Sequence, residues 1–472
     1  MPARAEGWRE RRLLLGNWLA RALHWPLIGP LLAEGIALAV ARGCEVESRE
    51  QGFAKTKHPA VLAITWERFR GDLNSLAASN RLGVVLFSRS WHGRINSMFW
   101  TPAMGDAYDL NRHYYSEGRP AWLRERQARY RAFLEAVLPR VCRRVGAMGV
   151  ISPSVWYFHA YEIGAVAQEN GLPFVVLHRE GLITVKGHRE GLLQLFRSLG
   201  RFRGSLIILH NEVVRDLIRQ SGYADEAHTK ALGATRMDQY LARVANTTPD
   251  RIPRKQVTLF SFLPGSGRVE TGNPDFGGWP APTEPGLHLL FRSSHAVIAR
   301  LAREFPEVRF VIKPKWRQKW FQYIDDGLAL EGIDRREIPN LEILPEANAH
   351  DLILGSSVVC GFASTVLLEA GIAGKPVIVP MYAEAAASDY QQYVYFSEDA
   401  AMFDNASSEA HFAELIRRRL DDSVVSDAMM AARRAAFAKY LSPLDGKASE
   451  RYADAVLAAV TGSASRAGAG RV

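Results

Sequence analysis

The stretch from Gly355 to Pro380, GSSVVCGFASTVLLEAGIAGKPVIVP, constrains the fold more than any other part of the chain. Val358 to Cys360 is a short, uninterrupted apolar run of the kind that is buried on both faces of a parallel sheet. Gly361 permits a sharp turn, Ser364-Thr365 open a helix, Gly374 ends it and Pro376 leads into a second apolar run, Val377 to Val379. A strand, a helix and a strand in that order pair in parallel through a crossover. The start of a helix carries free backbone N–H groups and the positive end of its dipole, so hydroxyls at Ser364 and Thr365 predict a phosphate site. Glu369 is four residues beyond Thr365, on the same helix face, where a carboxylate can accept two hydrogen bonds from a ribose diol. Together the three predict a nucleotide pocket. A plain βαβ unit, with the hydroxyls capping the helix and Glu369 solvated, is the competing expectation.

At 472 residues, 47% of them hydrophobic and 23% charged, the chain exceeds one ordinary domain. Cys44, Cys142 and Cys360 are far apart and form no CxxC pair, which fits a reducing cytoplasm and gives no structural zinc site. A net charge of +9 favours an anionic partner: nucleotide, phosphorylated acceptor, lipid head groups or nucleic acid. Near the N-terminus, Arg4, Arg9, Arg11 and Arg12 precede Leu13 to Val40, whose longest uncharged run, Ala22 to Ala33, is broken by His24, Pro26 and Pro30. That is too interrupted for a comfortable membrane span. Ala39-Val40-Ala41 makes a poor signal-cleavage site. The segment predicts a peripheral arrangement, with Trp18, Trp25 and the leucines at an anionic inner-membrane surface, or a helical pair packed on the first domain.

Strands alternating with helices recur from residue 59. Ala60 to Thr65, Gly83 to Phe87, Met148 to Ser152, Phe174 to Leu177 and Leu206 to Leu209 read as strands; Glu67 to Ala78, Ala121 to Val145, Tyr161 to Glu169 and Glu212 to Gln220 read as helices. The polar, proline-punctuated run Asn246 to Arg254 reads as a linker. A second α/β series follows, with strands Val257 to Phe262 and Arg309 to Ile312, and helices His288 to Glu304, His411 to Leu420 and Val424 to Tyr440. The predicted organisation is an amphipathic extension over 1–58, an α/β domain over 59–243, a linker over 244–255, a second α/β domain over 256–442, a helix crossing back over 443–460, and a disordered tail over 461–472.

The Gly355–Pro380 segment resembles the donor-binding βαβ of GT-B glycosyltransferases, particularly those building bacterial capsule and other surface polysaccharides, through its ST…LLEA…GKPVIVP pattern. Upstream, Gly233-Ala234-Thr235-Arg236-Met237-Asp238 is similar to the GxxRxD segment that closes the N-terminal domain in those proteins. The resemblance covers about residues 147 to 442. It implies a GT-B-like fold of two Rossmann-like parallel-sheet domains facing an interdomain cleft. It also implies a metal-independent glycosyltransferase that uses a nucleotide-sugar donor as substrate, with no cofactor, and a polysaccharide or lipid-linked acceptor. A CDP-glycerol-type polyol-phosphate transferase, a nucleotide-sugar 2-epimerase and a non-catalytic GT-B-like subunit are the alternatives.

Sugar transfer to a hydroxyl requires a base to take its proton. Leu177-His178-Arg179-Glu180-Gly181 ends a strand in the first domain and resembles the HG turn of glycerophosphotransferases, making His178 and Glu180 the candidates. Trp91-His92-Gly93 adds His92. In the second domain, Lys313 follows a predicted strand and would neutralise a leaving phosphate at the sheet's carboxyl edge; related enzymes carry His-Pro where this chain has Lys313-Pro314. The loop from Pro264 to Gly278 holds five glycines, and Gly265, Ser266 and Gly267 suit a close approach to the donor, without the Lys-Ser/Thr of a Walker loop. The octet Lys313 to Trp320 interleaves basic and aromatic residues, yet no nucleic-acid-binding signature accompanies it. Asp325-Asp326-Gly327 is similar to a sialyltransferase motif but falls in the wrong domain for a base, and Asp275-Phe276-Gly277 lacks every other kinase element.

Overall fold

The computed structural model describes residues 2–46, 58–101, 104, 108–247, 255–263, 286–315 and 319–469. Two parallel sheets organise two units. The first unit comprises residues 1–181, 193–239 and 445–472, and the second residues 182–192 and 240–444. The linker expected at Asn246 to Arg254 lies largely outside the described residues.

In the first unit β1 (Glu45–Val46), β2 (Ala60–Ala63), β3 (Gly83–Leu86), β4 (Ala147–Ser152), β5 (Phe174–His178), β6 (Leu206–Leu209) and β7 (Thr229–Ala231) lie in the order β1-β3-β2-β4-β5-β6-β7. Among the described strands of this sheet only β1 runs antiparallel, against β3. Interior strands β2 and β6 are apolar throughout, as strands covered on both faces are. One face packs Val61, Ile151, Leu177 and Ile208 under helix Arg70–Ala78 and under Tyr452, Ala453 and Val456 of the last helix, Ala448–Ala469. That helix runs past Val460, where the sequence predicts its end, to Ala469.

The N-terminal segment forms two helices, Pro2–Ala22 and Gly29–Arg42, docked on the first unit. Leu19, Leu23, Ala33, Ala37 and Val40 are buried. Gly16 matters here, since a Cβ would stand 2.3 Å from the Met98 carbonyl oxygen. Asn17 Oδ1 accepts from Arg129 at 2.7 Å, and Glu34 sits among Arg140, Arg143 and Arg144. Among the described residues no helix is long and apolar enough to cross a membrane.

In the second unit β8 (Gln256–Phe260), β9 (Arg309–Lys313), β10 (Leu341–Ile343), β11 (Val358–Gly361), β12 (Val377–Pro380) and β13 (Asp404–Ala406) are all parallel, in the order β10-β9-β8-β11-β12-β13. Renumbered within the unit this is 3-2-1-4-5-6, the doubly wound Rossmann order. The chain thus carries two Rossmann-like parallel-sheet units and an N-terminal helical extension, the α/β architecture implied by the GT-B resemblance.

Candidate functional site

Open α/β sheets bind ligands beyond the carboxyl ends of their strands, where the strand order reverses. In the second unit that point lies between β8 and β11. Ser364 and Thr365 stand there, just after β11, and helix Val366–Ile372 begins after them. The Val366 N–H donates to Ser364 Oγ at 3.3 Å, whereas the Thr365 side chain makes no capping bond. Ala363 holds φ +52°, a left-handed conformation unfavourable for alanine, which sets the tight exit from β11.

Glu369 is only 4% exposed, so it is not the solvated carboxylate of a plain βαβ unit. His350 Nε2 approaches its Oε2 at 3.3 Å, Tyr240 stacks on the His350 ring at 4.1 Å, and the Tyr240 hydroxyl donates to the Glu369 carbonyl at 2.7 Å. At the end of β8, Ser261 Oγ accepts from Trp320 Nε1 at 2.8 Å and lies 2.9 Å from His295 Nε2. Burial pushes His295 down to about 4.

Lys313 ends β9, on the far side of β8 from β11. Its ammonium donates to the carbonyls of Pro314 at 2.8 Å and Pro345 at 2.7 Å, so it ties β9 to the segment after β10. Burial lowers its pKa. Gly265, Ser266 and Gly267, and Asp275-Phe276-Gly277, lie outside the described residues. Asp325 is taken up by Arg335.

The first unit reverses its strand order between β2 and β4. Thr65, after β2 at φ +53°, places Oγ1 3.5 Å from His159 Nε2. The His159 ring lies 5.2 Å from that of His92 and stacks on Tyr157. The Tyr157 hydroxyl donates to Glu180 at 2.8 Å, and Trp156 Nε1 donates to the other carboxylate oxygen. Glu180, Tyr157, His159, Thr65 and His92 therefore form one run of polar groups along this edge. His92 is partly exposed, within 3.2 Å of Asn96 Nδ2, and burial lowers its pKa. His178 belongs to the same edge but is wholly buried, edge-on to Trp156 at 4.6 Å, and burial pushes it down to about 4. His159 and Tyr157 escape sequence reading because neither sits in a spaced motif.

The Gly233 to Asp238 segment has a different task. The Asp238 carboxylate accepts from the backbone N–H groups of Ala448 at 3.0 Å and Ser449 at 2.7 Å, capping the last helix. Arg451 Nε donates to the Leu232 carbonyl at 3.2 Å. Arg236 Nη1 lies 3.8 Å from the buried Asp72 Oδ1, which also accepts from Thr235 Oγ1 at 3.1 Å. Burial alone would raise the Asp72 pKa, but Arg236 and Arg179 outweigh it and hold the carboxylate below its ordinary range. His210, beside them, is pushed down to about 3 by burial and by Arg236. Among the described residues no group of three or more His, Cys, Asp or Glu side chains is placed to hold a metal ion.

No protein-family model matches the chain. No curated protein matches it either. Among solved structures, a UDP-GlcNAc 2-epimerase from Neisseria meningitidis bound to UDP-GlcNAc is 12% identical, with a TM-score of 0.46 over 85% of this chain and 99% of that one. An alpha,alpha-trehalose-phosphate synthase (UDP-forming) from Burkholderia vietnamiensis is 11% identical, with a TM-score of 0.47 over 87% of this chain and 98% of that one.

Proposed function

We propose that the chain is a GT-B-type glycosyltransferase that moves a sugar or sugar-acid from a nucleotide donor to a cell-surface polysaccharide or lipid-linked acceptor. One observation carries the reading: Ser364 and Thr365 lie at the β8/β11 reversal, with Glu369 held one turn further on by His350. The hydroxyls take the donor phosphate and the Glu369 carboxylate takes the ribose diol, so the second unit binds the nucleotide. The first unit supplies the base. His92 suits that role better than His178, because it is partly exposed and burial keeps it neutral, ready to take the acceptor hydroxyl's proton as the nucleotide departs. Glu180 holds Tyr157, which stacks on His159, the ring next to His92.

Eight of the exposed large apolar side chains (Trp8, Leu14, Leu15, Trp18, Trp25, Leu27, Ile28 and Leu31) belong to the N-terminal helical pair, which supports attachment to the inner face of the cytoplasmic membrane.

The test is calorimetric titration of the full chain with UDP, CDP, GDP and CMP. Ser364→Ala with Thr365→Ala should weaken the preferred nucleotide roughly 100-fold, about the worth of two hydrogen bonds to a charged group, while thermal unfolding stays unchanged. Unaltered affinity refutes the donor site. Single-turnover transfer with His92→Ala then tests the base, which should cost roughly 100-fold or more in rate with little change in donor affinity.

A further inference from the structure

The first unit contains an open cleft of about 760 Å³ that plays no part in the site described above. It lies at the carboxyl edge of β3, where Leu86, Phe87 and Ser88 line it together with Trp66. Three cations line it: Arg12 from the first N-terminal helix, and Arg89 and Arg94 from helix Arg89–Phe99; the acidic residue in the lining is Glu45, and Arg89 Nε also lies 3.2 Å from Glu67 Oε1 at the margin. The wall is held in place. Arg12 Nη1 donates to Ser97 Oγ at 3.2 Å, Arg94 lies over the Trp91 ring at 5.3 Å, and a Cβ on Gly43 would stand 2.7 Å from Ser88 Oγ. Gly93, in contrast, faces open space, since a Cβ there meets nothing within 4 Å.

A second observation says what fills it. Trp8, Arg12 and Leu15 follow one another at helical i, i+4, i+7 spacing, so the helix face that offers Arg12 to the cleft also carries apolar groups that are 65% and 47% exposed. Trp18, 50% exposed, continues the stripe. A cationic cleft bordered by an uncovered apolar stripe matches an amphiphile with a phosphate head and a hydrocarbon tail. The geometry points to a binding site for the phosphomonoester or diphosphate end of a membrane-anchored lipid, with the head among Arg12, Arg89 and Arg94 and the tail passing along Trp8, Leu15 and Trp18. This deepens the reading above by naming the acceptor's class. His92 stands on the same helix as Arg89 and Arg94.

The experiment measures vesicle binding without any nucleotide, so its failure is separable from failure of the donor site. Phosphatidylcholine vesicles are doped with phosphatidic acid, or with phosphatidylglycerol at matched surface charge, and inorganic pyrophosphate is titrated separately. The full chain should prefer phosphatidic acid. Arg12→Gln, Arg89→Gln and Arg94→Gln together should reduce that binding about 100-fold, from the worth of three basic groups at an anionic surface. Gly93→Phe, which fills the cleft and keeps every charge, should remove the preference for phosphatidic acid. A charge-matched control, Arg303→Gln, Arg336→Gln and Arg417→Gln in the second unit, should leave binding largely intact. Equal binding to both anionic lipids, equal loss in the two triple variants, or pyrophosphate binding without vesicle binding would each overturn the proposal.

Discussion

Replacing Arg236 by methionine should destabilise the first unit, and by more at neutral pH than in acid. The substitution removes the charge beside Asp72, which is 5% exposed and keeps the Thr235 hydroxyl bond and the charge of Arg179. Breaking a buried pair by removing one partner costs about 3–5 kcal/mol, and the survival of Arg179 places the expected loss near the lower figure. For a unit of this size that is a fall of roughly 6–12 °C in melting temperature. The pH dependence follows from the carboxyl. In the native chain its folded pKa lies below the unfolded value of 3.8, so its contribution is present above that value and is lost as pH falls through the folded pKa. Without Arg236, burial dominates and raises the folded pKa, so the variant loses stability as pH rises through it. The difference between the two proteins must therefore widen from about pH 4 to pH 7. Urea unfolding followed by tryptophan emission suits the measurement, since Trp8, Trp18, Trp25, Trp66, Trp91, Trp100, Trp122 and Trp156 all belong to the first unit. Asp72→Asn combined with Arg236→Met should cost less than the sum of the single changes. A cost under about 1 kcal/mol that is flat with pH would refute the reasoning.

Three further outcomes are expected. Asp238→Ala should cost about 1–2 kcal/mol in urea unfolding by leaving the Ala448 and Ser449 N–H groups without their cap, and Asp238→Asn should recover part of it. His178, His210 and His295 are buried neutral, with folded values well below the unfolded 6.5, so stability should be full above about pH 6.5 and decline as pH falls towards 4; a flat melting temperature across that window would contradict their burial. His350→Ala should weaken nucleotide binding several-fold by releasing Glu369 to other rotamers, and His350→Gln, which can still donate, should restore much of it in the same titration.

Local pattern was enough for the sheet strands and for the Gly355 to Pro380 unit, because a buried parallel strand advertises itself as an apolar run and glycine marks its exits. It was not enough for charged groups. Lys313 sits where the sequence expects it, at the end of a strand, but nothing local shows that its ammonium turns to two proline carbonyls. Glu369 was legible as a helix-face carboxylate, whereas its partner His350 lies 19 residues earlier in sequence, beyond any helical spacing. The Asp72 to Thr235 bond spans 163 positions and the Asp238 cap 210, so the structural task of the Gly233 to Asp238 motif is visible only in three dimensions. The N-terminal pair reads from sequence as membrane-facing or packed; the fold gives each helix a docked face and an uncovered one, and amphipathic periodicity alone does not say which solvent meets the second.

The last helix also governs how the chain can be made. Its Tyr452, Ala453 and Val456 cover sheet residues whose strands were completed at Ala231 or before, so the whole second unit must leave the ribosome before that apolar face is sealed. At ~5–20 residues per second the interval is on the order of tens of seconds, far longer than a helix or a sheet needs to form. During that time the nascent first unit is an open-faced layer. Premature termination anywhere after Ala231 therefore yields more than a shortened protein: it yields a sticky half-sandwich, whose fate rests with chaperones and proteases.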